Sequence, residues 1–178
     1  MRTLLLPLLV ALFLSHPASA ASAADPAVIV RTTAERVLQV VEEERDRYDE
    51  DPQPMRSRLE EILTPRVDMD LIANKVMAEF QPQFDSGQTE RFQTAFRRSL
   101  VELYSDALIA LQTRGIDVEA ARMRGEDRAT VRMNVRTSDG EQFVIHYALG
   151  REGTDWVVRN LLVDGINLGV TFRNQFAS

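Results

Sequence analysis

Residues 128–163 read RATVRMNVRTSDGEQFVIHYALGREGTDWVVRNLLV, and this stretch decides the fold of the chain. Apolar and polar residues alternate along most of it, with the period of two that a half-buried β-strand shows. Short turns at Ser138-Asp139-Gly140 and Arg151-Glu152-Gly153 separate the runs. Short connections between successive strands indicate an antiparallel meander. With the run that begins at Ile116, about four strands are predicted: Ile116 to Ala120, Ala129 to Val135, Phe143 to Leu149 and Trp156 to Val163.

The sequence before Ile116 has a helical period instead. Asp25-Pro26 is a helix start, since Asp caps a helix and Pro is tolerated at its first position. The acidic run EEERDRYDED at 42–51 is predicted to be a solvated helix end and loop. A short helix ending at Thr64-Pro65 follows, and Asp68 is predicted to cap another.

The longest predicted helix spans roughly residues 88–112, opens at Ser86-Gly87 and stops at Gly115. Its apolar stripe consists of Phe92, Phe96, Leu100, Leu103, Ala107 and Leu111. Helices followed by a meander indicate an α+β fold, with an N-terminal helical layer packed on a curved antiparallel sheet. We expect the sheet face that carries Val131, Met133 and Val135 to cover this stripe. Composition alone predicts an ordinary packed core between them.

The first twenty residues resemble a signal peptide. Arg2 precedes an apolar run from Leu4 to Leu14, and Ala18-Ser19-Ala20 forms a small-residue cleavage site. We therefore expect export to the periplasm and a mature single domain at 21–178. Without Arg2, 20 basic residues face 27 acidic ones, so the mature charge is 20 − 27 = −7, which argues against nucleic-acid binding. There is no cysteine, so disulfides and a lipid-modified cysteine are excluded.

Few residues suit catalysis or metal binding. His16 belongs to the signal peptide, and His146 is expected in mid-strand on the face away from the helices. Asp68-Met69-Asp70 followed by Glu79 mimics an EF-hand spacing, but Ala73 stands where that loop needs Gly. We therefore reject a calcium site, and we expect no metal, no cofactor and no catalytic residue.

Sequence motifs for hydrolysis and nucleotide binding are also missing, which favours a binding protein. Two alternatives stay open. One is a small-cavity α+β enzyme in which a buried carboxylate and Tyr104 or Tyr147 act as acid and base on an apolar substrate. The other is a periplasmic adaptor with a solid core that binds protein only.

Three segments within residues 28–176 resemble the MlaC family, also called the toluene-tolerance family. They are the helix opening around Val67-Asp68-Met69-Asp70, the segment from Gln88 to Leu108, and the tail from Trp156 to Phe176, which includes Gly165-Ile166-Asn167-Leu168 and Phe172-Arg173-Asn174-Gln175-Phe176. Family members commonly place an aromatic residue and an Asp where this sequence has Arg159-Asn160, and they continue with a further helix beyond the Gln-Phe. We expect any roles of that Asp and that helix to be filled differently here.

The resemblance implies a soluble periplasmic phospholipid carrier with an apolar cavity between helices and sheet. It implies an outer-membrane lipoprotein complex and an inner-membrane ABC transporter complex as partners, with maintenance of outer-membrane lipid asymmetry as the role and bound phospholipid as the cargo. The residues predicted to contact lipid are Phe92, Phe96, Leu100, Leu103 and Tyr104 on the long helix, Val131, Met133, Val135, Ile145, Tyr147 and Trp156 on the sheet, and Leu168 in the tail.

Overall fold

The structure is a computed structural model that describes residues 25–78 and 83–176. The helices are α1 (Pro26–Glu44), followed by a 3-10 turn (Arg45–Arg47), α2 (Gln53–Leu63), α3 (Met69–Met77), α4 (Ser86–Leu111) and α5 (Leu168–Phe176). The strands are β1 (Thr113–Val118), β2 (Arg122–Met123), β3 (Arg128–Thr137), β4 (Gln142–Glu152), β5 (Asp155–Val163) and β6 (Ile166–Asn167). The predicted signal peptide lies outside the described residues. No helix within these ranges is both long and apolar enough to cross a membrane.

The predicted helix starts at Asp25 and Asp68 are confirmed. The Asp25 side chain accepts a hydrogen bond from the Ala27 amide at 2.8 Å, and Asp68 caps α3 by accepting from the Leu71 amide at 3.1 Å. Helix α4 opens at Ser86, as predicted, but its C-terminal end differs from prediction. Its cap is Asp85, which forms a reciprocal capping box with Gln88. The left-handed residue that ends it is Gln112, with φ 42°, rather than Gly115, which lies in β1.

The sheet is antiparallel in the order β1-β3-β4-β5-β6, and β2 pairs with the first residues of β3. The four predicted strands are confirmed as β1, β3, β4 and β5, and the two-residue strands β2 and β6 complete a six-stranded sheet. Asp164 and Gly165 make the tight turn into β6 with φ values of 48° and 82°. Positive φ at both central residues is the geometry of a two-residue hairpin, for which Asp-Gly is favoured.

The helices form an arc that starts and ends on the sheet, which confirms the α+β class. The first helix, α1, packs on β1 and β3, and α2 packs on α1. Helix α4 packs between α2 and α3, while α3 and α5 return to β5. A parallel bridge ties the start of α3 to the sheet, because the Asp68 amide donates to the Val158 carbonyl at 2.9 Å. Helix α4 therefore stands at the middle of the arc, and its main contacts are with other helices.

The expected packing of the sheet against the α4 stripe occurs only at the end of the helix, where Leu111 packs against the sheet cluster. Val131, Met133 and Val135 belong to a buried cluster with α1, which contributes Ala27, Ile29 and Val30. The short side chains of α1 allow it to lie close to the sheet, and Arg31 anchors it by donating to the Val118 carbonyl at 2.7 Å. The bulkier stripe of α4 packs elsewhere, since Phe96 and Leu100 lie in a cluster with Ala73 and Val76 of α3.

Candidate functional site

Helix α1 packs on β1 and β3, so it covers only part of one face of the sheet. On β3, Val131 is 0% exposed and Met133 and Val135 are each 4% exposed. The residues opposite them on β4, and the next ones across on β5, share this face because paired residues point the same way. These five apolar side chains are only partly buried, and we call them the inner strip: Phe143, Ile145, Tyr147, Leu161 and Val163.

Tyr147 lies in the middle of the inner strip, opposite Val131 on one side and Leu161 on the other. Burial raises the pKa of its hydroxyl, which shows that the group is withdrawn from bulk water. Its side chain nevertheless retains accessible surface. Tyr147 packs against the buried cluster of α1 and the sheet without being fully buried itself. The hydroxyl points toward the Met133 sulfur, with 3.9 Å between Oη and Sδ.

Tyr104 on α4 has the same combination of properties. Burial raises its pKa to about 12, although the residue is only partly buried. It belongs to the cluster at the α3–α4 contact, to which Phe92 also adds a partly buried ring. Tyr104 on the helical side and Tyr147 on the sheet side are thus both largely shielded from water without being fully buried.

Aromatic contacts connect α4 to the C-terminal helix. The rings of Phe92 and Phe96 stack with centroids 5.8 Å apart. The ring of Phe172, on α5, meets Phe96 edge-on at 5.9 Å. Sequence reasoning missed this helix, which ties the C-terminal tail to the α3–α4 cluster. The C-terminal tail therefore packs against the α3–α4 cluster through Phe172, a contact that sequence periodicity does not show.

The remaining predicted lipid contacts occupy three different environments. Leu103 is 53% exposed on the outside of α4. Trp156 is 1% exposed, and the Arg151 guanidinium lies 4.8 Å above its ring. Leu168 is partly buried at the start of α5. The predicted residues thus form a sheet group beside α1 and a helix group beside α3, with Leu103 turned away from both.

Arg159 takes a role that the sequence did not predict. It stands at a bulge in β5, where the pairing with β4 shifts. Its guanidinium covers Gly150, where an added Cβ would lie 2.4 Å from the nearest guanidinium nitrogen. Its Nε lies 3.6 Å from Asp68 Oδ2. Arg159 therefore links the cap of α3 to β5 at the sheet edge.

The described residues offer little for catalysis. They contain no group of three or more acidic or histidine side chains placed to hold a metal ion. His146 is partly buried opposite Arg132, on the face away from α1. Because their pKa values are raised, Tyr104 and Tyr147 stay protonated at neutral pH and are poor bases. In the enzyme alternative, in which a buried carboxylate and one of these tyrosines act as acid and base, the tyrosine would therefore be the acid.

One surface groove of about 250 Å³ lies between α1 and α2, away from the inner strip. Its lining is largely charged or polar and consists of Arg36, Gln39, Val40, Arg58, Glu61 and Ile62. Apolar ligands are held by apolar walls with few polar groups. The groove is therefore a poor site for such a ligand, and the inner strip is the better candidate.

The chain is thus an α+β protein whose sheet leaves one apolar face partly accessible. The profile of the MlaC protein family matches residues 31–178. The chain belongs to the MlaC family, which confirms the resemblance inferred from the sequence.

Two relatives and one solved structure extend this comparison. The toluene tolerance protein ttg2D of Pseudomonas putida is 34% identical over 170 residues, which are 95% of this chain and 79% of that protein. The intermembrane phospholipid transport system binding protein MlaC of Haemophilus influenzae is 21% identical over 148 residues, 81% of this chain and 69% of that protein. A phospholipid-binding protein of Ralstonia solanacearum, solved in complex with a phospholipid, shares the fold with a TM-score of 0.76 at 24% identity, over 86% of each chain. Two of these three names describe phospholipid binding or transport.

Proposed function

We propose that this chain is a periplasmic carrier that binds one diacyl phospholipid with its acyl chains between α4 and the inner strip. The observation that supports this most directly is the incomplete cover of the sheet. Val131 is 0% exposed beneath α1, whereas Tyr147 and Val163 on the same face keep accessible surface. An apolar face that stays partly accessible is what a site for an apolar ligand requires.

The family relationship supports phospholipid as the ligand. The Haemophilus influenzae relative is named as the binding protein of an intermembrane phospholipid transport system, and the Ralstonia solanacearum neighbour was solved with a phospholipid. In the proposed pathway the chain exchanges lipid with an outer-membrane lipoprotein complex and with an inner-membrane ABC transporter complex. This exchange would help to keep the outer membrane asymmetric.

The free energy of hydrating acyl chains explains why such a carrier is needed. Each methylene exposed to water costs about 0.8 kcal/mol, so two chains of roughly fifteen carbons cost on the order of 24 kcal/mol. Uncatalysed transfer through water is negligible at such a cost. A protein that shields both chains removes most of the barrier.

The head group is proposed to stay near solvent, since the inner strip is apolar apart from one tyrosine hydroxyl. A cavity that reads acyl chains distinguishes head groups weakly, because water and salt screen the charges outside it. We therefore expect phosphatidylethanolamine and phosphatidylglycerol to bind with similar affinity. Competition between the two lipids for the delipidated protein measures this ratio.

A vesicle assay tests the carrier function. Protein spanning residues 21–178 should speed the transfer of a fluorescent phospholipid between donor and acceptor vesicles in proportion to its concentration, and the lipid recovered afterwards should be chemically unchanged. Heat-unfolded protein is the control. Hydrolysed or modified lipid would favour the enzyme alternative. Neither transfer nor bound lipid would favour the adaptor with a solid core.

A further inference from the structure

One row of apolar side chains crosses the sheet from the side that α1 covers to the opposite edge. Paired residues of neighbouring antiparallel strands point to the same face, so the pairings define this row, which we call the edge row: Val118, Met133, Ile145, Val163 and Ile166. Val118 and Met133 are buried in the cluster with α1. Ile145 and Val163, which belong to the inner strip, are partly buried. Ile166, on the edge strand β6, is 60% exposed, so the edge row leads from buried core through the inner strip to solvent.

The edge on the β1 side of the same face ends differently. Met123, on the two-residue strand β2, is also an exposed apolar residue, with 49% of its surface accessible. It pairs with Ala129, which in turn pairs with Leu149, and both of these residues are buried. Exposed apolar surface therefore stops at Met123, whereas at Ile166 it continues into the accessible inner strip.

The opposite face of the sheet offers no such path beside the edge row. The adjacent row of paired residues on that face consists of Arg132, His146, Leu162 and Asn167, of which only Leu162 is apolar. Arg132 is further paired with Glu119, with 3.4 Å between the guanidinium and the carboxylate. The apolar path to the β6 edge is thus confined to the face that carries the inner strip.

Backbone hydrogen bonds hold Ile166 at a fixed place on this edge. The preceding turn is attached to β4 twice, because the Asp164 amide donates to the Val144 carbonyl at 2.8 Å and the Val144 amide donates to Asp164 Oδ1 at 2.8 Å. On the other side, the Asn167 side chain accepts from the Val170 amide at 3.2 Å at the start of α5. Val170 is itself an exposed apolar residue. Single exposed apolar residues are common on protein surfaces, but Ile166 continues a row that reaches the proposed lipid site.

Resting on the function proposed above, we infer that the acyl chains of the phospholipid enter and leave the protein past Ile166, at the β6 edge of the sheet. Apolar chains avoid water, so a chain moving between a membrane and the inner strip crosses the lowest barrier where apolar surface is continuous. The edge row supplies this continuity, and the Met123 edge does not. Ile166 is therefore assigned to the path of the lipid and not to its final binding position.

The test places a carboxylate at each of the two edges. Transfer of a fluorescent phosphatidylglycerol from vesicles to delipidated protein gives the rate of loading, and transfer back to unlabelled vesicles gives the rate of release. Ile166→Asp should slow both rates about tenfold or more, because a carboxylate loses water whenever a chain passes it. The affinity, which is the ratio of the two rates, should stay near wild type. Met123→Asp is the matched control and should change neither rate.

A second measurement does not depend on the stability of Ile166→Asp. The chain has no cysteine, so Ile166→Cys and Met123→Cys can each be labelled at one position with a polarity-sensitive fluorophore. During loading from the same vesicles, emission from the label at position 166 should shift to the blue, and emission from the label at position 123 should not. If Ile166→Asp fails to fold, this comparison decides the question, and an unchanged emission at position 166 would overturn the inference.

The outcomes separate the path from the function. Wild-type rates in Ile166→Asp, or equal slowing by both Asp variants, would overturn the inference while the carrier function stands. Faster release with weaker binding in Ile166→Asp would also overturn it, because Ile166 would then be a contact of the bound lipid. A wild type that takes up no lipid would refute the proposed function, and the inference with it.

Discussion

Two valines on one face of the sheet should respond in opposite ways to the same enlargement. Val131 is 0% exposed beneath α1, so Val131→Trp must displace packed atoms. Overpacking a core costs about 1–3 kcal/mol, and a domain of this size melts about 2–4 °C lower for each kcal/mol. The expected loss in melting temperature is therefore roughly 2–12 °C. Val163 lies across the sheet, opposite Ile145, and is only partly buried. In Val163→Trp the indole should enter the cavity, leaving the melting temperature near wild type while bound lipid falls.

The assay is thermal unfolding of delipidated protein, alongside phospholipid bound per chain after reloading. Arg132→Trp is the control, because Arg132 is exposed on the opposite face and should change neither quantity. Destabilisation of Val163→Trp as large as that of Val131→Trp would mean that the inner strip is solid core. Full lipid binding by a stable Val163→Trp would place the ligand elsewhere.

Three further predictions concern the framework around the proposed cavity. Asp68→Ala should cost about 1 kcal/mol of unfolding free energy through loss of the α3 cap, with lipid binding retained, as measured by urea denaturation; an unchanged stability would remove Asp68 from the framework. Gly165→Ala should lower the free energy of unfolding by about 1 kcal/mol or more, because φ at this position is 82° and a residue with a Cβ is strained there. A higher melting temperature by circular dichroism would contradict the turn geometry. The free energy of unfolding should fall as pH rises from about 10 to about 12, because tyrosines in the unfolded chain ionise near 10 while Tyr104 keeps its proton until about 12. Denaturant titrations at stepped pH should show a smaller fall for Tyr104→Phe. The same fall in wild type and variant would refute this prediction.

Local patterns predicted the elements well. The alternation along β3 and β4 and the caps at Asp25 and Asp68 depend on neighbouring residues, and the structure confirms them. Helix α5 was missed because its nine residues include Gly169, Val170 and Thr171, which are poor helix formers. So short a helix depends on tertiary packing, here Phe172 against Phe96.

The identity of the helix that covers the sheet could not be predicted from periodicity. Both α1 and α4 carry apolar stripes, and nothing in their spacing assigns either one to the sheet. The difference in burial along this face was equally hidden, because Val131 and Val163 are the same residue type at strand positions that face the same way. The resemblance to the MlaC family raised the possibility of a cavity, and the uneven burial of that face supports the place that we propose for it.

The central claim, that this chain carries phospholipid, is tested most directly by native mass spectrometry of protein purified from a Gram-negative periplasm without detergent. The account predicts a main species heavier than the chain by the mass of one diacyl phospholipid, and a lighter species after organic extraction. The extract should contain intact phospholipids with more than one head group. A chain that is lipid-free under these conditions, and that remains so after incubation with phospholipid vesicles, would contradict the account.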